Sequence, residues 1–315
     1  MRLERRNGNE WHRTGHAGDA GDAGDAGDTL GTPVAPGDRL RVAVLCSDDP
    51  HHRYLVARVA RDLNLVGVVV EPGAEQQRRL WARRARTDAV ARAYQVRRQR
   101  WTGRSAYRRR YFAALTPPVG PAPERVLRVD WINSPEAVDF LGGLAPDVTV
   151  VCGTTYLRRP VIEAGGLMIN IHGGYLPQYK GNHCVFFAFL RKDYHRIGAS
   201  LHLVTSRLDG GELVEVVRPE IRPQDNDEHL YDRSVHLAID RLTEILTVFE
   251  AGGTVLRTVP QEDTGETFRH RSRKPHLDLW AWLRIRLGLE RVPHIPREQP
   301  PFDCLVPRGA LRRDS

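Results

Sequence analysis

The chain has 315 residues, 41% of them hydrophobic, and a formal charge of +8, enough for one large or two modest domains with a sizeable core. No apolar run approaches the roughly eighteen residues that span a bilayer, Met1 to Gly8 is too polar for a secretory signal, and Cys46, Cys152, Cys184 and Cys304 lack paired spacing, so a reducing cytoplasm is the expected location. The positive charge is local: thirteen arginines and one acid lie between Gln76 and Arg110, a balance of +12 that leaves the remainder at −4.

Residues 1–38 are polar and carry four consecutive Ala-Gly-Asp triplets from Ala17 to Asp28. Such a stretch buries too little apolar surface to offset its ordering entropy, and disorder is expected. A main domain is expected over 39–258. Arg41 to Cys46 reads as a buried strand, His51 to Leu63 as a helix and Leu65 to Val70 as a second strand, a parallel unit with a right-handed crossover. The turn after the first strand lacks Gly-x-Gly-x-x-Gly, which argues against a nicotinamide dinucleotide. Adjacent His51 and His52 point apart on a helix and no third ligand has metal-site spacing, so no metal is expected.

Residues 76–115 read as a basic helical insertion in which arginines alternate with Leu80, Trp81, Tyr94, Trp101, Tyr107, Tyr111 and Phe112. Either it is a solvated helical face or it attracts something anionic: a nucleotide-linked sugar, a phosphorylated acceptor or an acidic membrane surface. Arginine among aromatics also suits nucleic-acid stacking, though nucleic acid is not the partner expected. After the Pro-rich break at 116–123, Asn133-Ser-Pro-Glu caps a helix to Leu141. Asp147 to Cys152 forms a central strand, and its exit loop 153–158 should face a crevice beyond the strand ends.

Met168-Ile-Asn-Ile-His172 is a short apolar strand that delivers Asn170 and His172 on one face. Gly173-Gly174, Leu176-Pro177 and Tyr179-Lys-Gly181 follow. Leu208-Asp209-Gly210-Gly211 then turns between strands at 199–205 and 212–217. A long helix runs to about Glu250, with a core stripe from Leu230 to Phe249. Residues 259–315 read as a C-terminal extension. In it, a helix over Leu277 to Leu289 either docks on the domain or lies on a membrane, and the last twenty or so residues are loose.

Asn-x-His-x-x-x-Leu-Pro-x-Tyr-x-Gly followed by Leu-Asp-Gly-Gly resembles the 10-formyltetrahydrofolate-dependent formyltransferases, which act on glycinamide ribonucleotide, methionyl-tRNA or amino sugars. The resemblance covers roughly 41–258 and implies an α/β fold: a Rossmann-like, wound, mostly parallel sheet, with the Arg-rich insertion and a short C-terminal extension added. It implies that Asn170, His172 and Asp209 are catalytic, although Gly173-Gly174 replaces the more usual small polar residue after the histidine. It further implies that 10-formyltetrahydrofolate is the donor, with its pterin contacted by loops 153–158 and 206–209, among them Thr155, Tyr156, Leu157 and Leu208. The acceptor side falls on Tyr179, Gly181, Asn182 and His183, with His183 more a supporting residue than a contact.

The chemistry suits those residue types. A neutral amine attacks a formyl carbonyl directly, Asn and His donate to the developing oxyanion, and Asp orients the imidazole and accepts an amine proton through water. No protein nucleophile is needed. The acceptor expected is a small anionic amine, an amino sugar carried on a nucleotide or a lipid. Methionyl-tRNA and glycinamide ribonucleotide are the alternative acceptors, and a folate-binding protein without turnover is the alternative class. A homodimer and peripheral contact with an acidic membrane stay open.

Overall fold

The protein is described by a computed structural model over residues 2–14, 39–118 and 125–308. The Ala-Gly-Asp triplets and part of the Pro-rich break lie outside those residues.

In chain order the elements are β1 (Arg2–Arg6), β2 (Glu10–Thr14), β3 (Arg41–Cys46), α1 (Pro50–Asp62), β4 (Asn64–Val70), α2 (Gly73–Ala82), α3 (Arg86–Trp101), α4 (Arg104–Leu115), β5 (Val126–Arg128), α5 (Pro135–Leu144), β6 (Val148–Cys152), α6 (Arg159–Ala164) and β7 (Leu167–His172). They continue with β8 (Tyr179–Gly181), α7 (Cys184–Leu190), β9 (Ala199–Leu203), β10 (Leu213–Val217), α8 (Asp227–Ala251), β11 (Thr254–Arg257), β12 (Glu266–Phe268), α9 (Pro275–Arg286) and β13 (Leu305–Pro307).

The central sheet has seven strands in the order β10-β9-β7-β6-β3-β4-β5. It is parallel from β7 to β5, and β9 runs antiparallel to both β7 and β10. Strands β3, β6 and β9 are buried along almost their whole length, as expected of strands covered on both faces. On one face Leu55 and Val59 of α1 pack with Leu242, Ile245 and Phe249 of α8, while Ala137 and Leu141 of α5 and Val161 of α6 cover the other. From β3 the chain steps to β4 on one side and β6 lies on the other, so the winding reverses between β3 and β6. Beyond the ends of those two strands is where an open α/β sheet forms its ligand crevice.

The first residues depart from the expectation of disorder. β1 and β2 pair as a hairpin whose Asn7 and Gly8 both take positive φ, 50° and 79°, and Leu3 and Trp11 pack against the main core. β2 joins β11, and β13 completes a four-stranded sheet on the far side of β11. The C-terminal residues 304–307 are likewise fixed rather than loose: Cys304 is fully buried and Leu305 pairs with Leu256. All four cysteines are buried thiols.

The basic segment folds into α2, α3 and α4 along one wall of the crevice. Three of its arginines do not face solvent. Arg98 donates to Glu228 at 2.8 Å, Arg108 to Glu228 at 2.9 Å and Asp232 at 2.6 Å, and Arg104 to Asp227 at 3.1 Å. The acids at the start of α8 also suit a helix N-terminus. Burial works against the Glu228 carboxylate, but Arg108, Arg273, Arg98 and Arg104 bring its pKa down to about 2. Among the described residues no helix is long and apolar enough to cross a membrane. On α9, Ala281 and Arg284 are buried while Leu279, Trp280 and Trp282 are exposed.

Candidate active site

A cleft of about 1290 Å³ opens beyond the strand ends. Its walls come from the loop after β3, the 153–158 loop, the end of β7, the 204–209 loop, the start of α8 and the inner faces of α2 and α3.

Asn170 and His172 lie two apart on β7, and both line the cleft, as does Asp209. Asp209 reaches them from the turn between β9 and β10. Its backbone is left-handed, φ 48°, a conformation aspartate tolerates better than most residues. Two contacts hold it there. The Gly181 N–H donates to Asp209 Oδ2 at 2.8 Å, and the Gln261 amide donates to the Asp209 carbonyl at 3.1 Å and to the Gly211 carbonyl. The carboxylate then stands 3.7 Å from His172 Nδ1 and 3.7 Å from His202 Nε2. On its other edge, His172 Nε2–H donates to the Tyr179 carbonyl at 3.0 Å.

His202 was not singled out in the sequence, where it sits inside the apolar run Ala199 to Val204. In the antiparallel ladder it is directly opposite Asn170. Its Nδ1 lies 2.9 Å from the Leu203 carbonyl and must carry the proton. Nε2 is therefore an acceptor, and it receives an Asn170 amide N–H at 3.0 Å. Burial lowers the His202 pKa to about 4, against the opposing pull of Asp209, so the ring is neutral at physiological pH. The only sequence signal was alternation: Ser200 and His202 are polar positions on one face of a strand that is otherwise apolar.

The two glycines after His172 have steric reasons. A Cβ at Gly173 would meet the Tyr231 ring at 2.6 Å, and one at Gly174 would meet Cys184 Cβ at 2.5 Å and His172 Nε2 at 2.6 Å. Tyr231 at Gly173, and Cys184 with the imidazole at Gly174, occupy the space that a side chain would fill.

The expected donor-side residues divide. Tyr156 and Leu208 are each 50% exposed at the mouth of the cleft, and the Tyr156 hydroxyl donates to the Ser206 carbonyl at 2.6 Å, lacing the two loops together. Thr155 is already engaged: its N–H and hydroxyl donate to the buried Glu71 carboxylate at 2.8 and 3.0 Å. Leu157 is 5% exposed and packs with Val161 and Met168, so it serves the core as well as the cleft wall. Asn133 accepts the Arg158 N–H and donates to the Tyr156 carbonyl, pinning the same loop, while Ser134 caps α5.

Of the residues expected on the acceptor side, Gly181, Asn182 and His183 line the cleft. Tyr179 does not contribute its side chain. That ring is buried against Phe268 and its hydroxyl donates to Asp193 at 2.9 Å, so only its carbonyl reaches the site, through His172. The ring packs instead into the apolar cluster of Phe186, Phe187 and Phe268. His183 Nε2 is buried without a partner, and burial together with Arg273 and His270 holds its pKa well below the ordinary histidine range.

Chemically, an amide with one spare N–H, an imidazole between two acceptors and a carboxylate converge on one wall of a cleft. The set can donate hydrogen bonds to a charge-bearing oxygen and take up a proton.

The sequence pattern of the family described as Formyl transferase matches residues 41–246. Similar curated proteins include the methionyl-tRNA formyltransferase of Rhodopirellula baltica, 32% identical over 174 residues covering 49% of each chain. That of Latilactobacillus sakei subsp. sakei is 30% identical over 140 residues, covering 44% of this chain and 43% of the relative. The chain thus spans less than half the length of these curated relatives. Among solved structures, glycinamide ribonucleotide transformylase 1 from Symbiobacterium toebii aligns with 76% of this chain and 100% of its own at 19% identity and a TM-score of 0.47. A sugar N-formyltransferase from Shewanella sp FDAARGOS_354 covers 82% and 98% at 14% identity and a TM-score of 0.48.

Proposed function

We propose, from the premise that the chain belongs to the formyl transferase family, that it moves a formyl group from 10-formyltetrahydrofolate to a primary amine, in direct attack without an acyl-enzyme. The observation that carries this reading is Asp209, which lies within 3.7 Å of both imidazoles at the exit of β7. When bound, the donor supplies an activated formyl carbonyl and a nitrogen leaving group that must gain a proton.

Asn170, with one N–H held by His202, turns its second N–H toward the formyl oxygen. His172 supplies a second donor when its Nε2–H exchanges the Tyr179 carbonyl for the stronger, charge-bearing acceptor. Donors aimed in advance at a developing oxyanion are worth about 3–4 kcal/mol each. Asp209 orients the His172 ring, receives the proton shed by the attacking amine and returns it through water to the folate nitrogen as the bond from that nitrogen to the formyl carbon breaks. Tyr156 and Leu208 flank the donor at the mouth, and Gly181, Asn182 and His183 flank the acceptor.

The acceptor we favour is a small amine attached to an anionic carrier, an amino sugar on a nucleotide or lipid. Arg92, Arg97 and Arg100 of α3 and Arg207 line the same cleft, which supports an anion there. A methionyl-tRNA acceptor is the second reading, favoured by the names of the curated relatives.

The test is mass spectrometry of candidate amines, with nucleotide-linked amino sugars and methionyl-tRNA as separate arms, after incubation with 10-formyltetrahydrofolate. A gain of one formyl unit that disappears in Asp209→Asn is the expected result. Tetrahydrofolate binding with no product from any amine would leave a folate-binding protein without turnover.

A further inference from the structure

Three side chains at the reversal point of the sheet take no part in the chemistry above. Pro50 opens α1 behind Asp49, and His52, two residues on, folds back so that its Nδ1 accepts the Asp49 N–H at 3.1 Å. That cap pulls His52 beside its neighbour. The ring centroids of His51 and His52 are 3.9 Å apart, where two residues on a plain helical turn would diverge. Cys152 ends β6 directly across from Cys46, the last residue of β3, and so lies beside the start of α1.

His51, His52 and Cys152 are 3, 2 and 3% exposed and all line the cleft. Each offers one donor atom, and these atoms lie within 4.8 Å of one another. His51 Nδ1 and His52 Nε2 are buried without a hydrogen-bond partner. The absence of a Cβ at Gly153 leaves the space in front of His52, since a Cβ there would meet Nε2 at 2.3 Å. Unpartnered buried nitrogens are costly, and two of them beside a thiol have no evident structural use.

We propose that His51, His52 and Cys152 form a binding site for a zinc-class divalent metal ion, with the fourth coordination position opening onto the cleft. The adjacent histidines fail as a metal pair on sequence spacing alone. The cap brings them together and the parallel register supplies the third ligand from a strand about a hundred residues away in sequence.

Bonds of about 2.0–2.1 Å to nitrogen and 2.3 Å to sulfur in a tetrahedral site set the donors about 3.3–3.7 Å apart, so the cluster must tighten by about 1 Å. Burial keeps His51 and His52 neutral, the latter with a pKa of about 4, and neutral imidazole is the ligating form. Burial also raises the Cys152 thiol, so metal uptake must release its proton. Asp48 and Asp49 bring negative charge to the site and Arg108 opposes it. Tyr231 links this cluster to the site already described, its ring 6.0 Å from that of His51 and packed on Gly173.

The tag-free full chain is loaded with zinc, desalted and assayed by inductively coupled plasma mass spectrometry, and a cobalt-loaded sample is examined by absorption. The expected result is one metal per chain and a near-ultraviolet thiolate-to-cobalt band, both lost in Cys152→Ser and His51→Ala. Alkylation of the wild-type chain, read residue by residue, should show Cys152 protected by zinc, a measurement independent of whether the variants fold. Sub-stoichiometric metal in the wild type, metal retained in the variants, or equal labelling of Cys152 with and without zinc would each overturn the proposal.

Discussion

Asn170 on β7 and His202 on β9 face each other across an antiparallel pair, and the 3.0 Å contact between the amide and the ring fixes which way the amide points. Because His202 spends its only proton on the Leu203 carbonyl, the Asn170 nitrogen rather than its oxygen must meet the ring. The remaining N–H is then free for the oxyanion role proposed for it, without any contact between His202 and the reacting atoms.

His202 is therefore a positioning residue. His202→Leu should lower kcat about 10- to 100-fold through the misoriented Asn170 donor, with little change in KM for the formyl donor. His202→Gln, whose carbonyl can accept the same N–H, should recover much of the loss. Equal loss in both variants, or a change confined to KM, would refute this role in steady-state kinetics.

Direct removal of the groups proposed to be catalytic should be harsher. Asn170→Ala should cost about 10²–10³ in kcat, as expected for one oxyanion donor. Asp209→Asn tolerates the left-handed backbone and can still accept from Gly181, but it loses the charge. It should keep tetrahydrofolate affinity, measured by calorimetry, while turnover falls by about 10²–10⁴.

Stability should fall on acidification through the buried histidines, offset in part by Asp232, whose carboxyl burial pushes up to about 6. His202 and His270 have folded-state pKa values of about 4, with burial the leading cause in each. The unfolded chain takes up these protons first as the pH drops through about 6.5, so the stability is complete above that pH and is lost between 6.5 and 4. For the fully buried His202 the loss is on the order of 3 kcal/mol. Urea midpoints from pH 7.5 to 4.5 should show this slope, shallower in His202→Gln, and a flat profile would contradict it.

Glu228 anchors the basic insertion by accepting from Arg98, Arg108 and Gln99. Glu228→Ala leaves the buried Arg98 and the partly buried Arg108 without that partner, and breaking such a network costs about 3–5 kcal/mol. Urea unfolding should report the loss, and limited proteolysis should gain cuts within residues 76–115.

Gly174→Ala tests the space around the imidazole. The added methyl overlaps Cys184 Cβ and His172 Nε2, so activity should fall at least tenfold while far-ultraviolet circular dichroism is retained.

Much of the architecture was legible because β3, β4, β6 and β7 are parallel strands covered on both faces, which read as unbroken apolar runs. Asn170, His172 and Asp209 stood out because a turn and a strand end expose polar residues against apolar neighbours. His202 did not, since one histidine in Ala199 to Val204 looks like ordinary alternation. The hairpin at residues 2–14 was hidden by its charges, although Asn7-Gly8 is a hairpin turn signal. The insertion's net charge gave no sign that Arg98, Arg104 and Arg108 would be neutralised by acids more than a hundred residues later in sequence. Motif position alone does not reveal that the Tyr179 ring packs on Phe268 rather than lining the cleft.

β12 pairs in parallel with β8, and the Phe268 carbonyl accepts the Asn182 N–H at 2.8 Å. Gln261 steadies the Asp209 turn, and Arg273 sits beneath the cleft on Asp227. The strap over the Gly181–His183 wall of the cleft therefore comes from residues after 258, outside the unit that the motifs delimit. A fragment ending near residue 258 would retain Asn170, His172 and Asp209 while losing Gln261, which holds the Asp209 turn, and Cys304 and β13, which close the core beside β11.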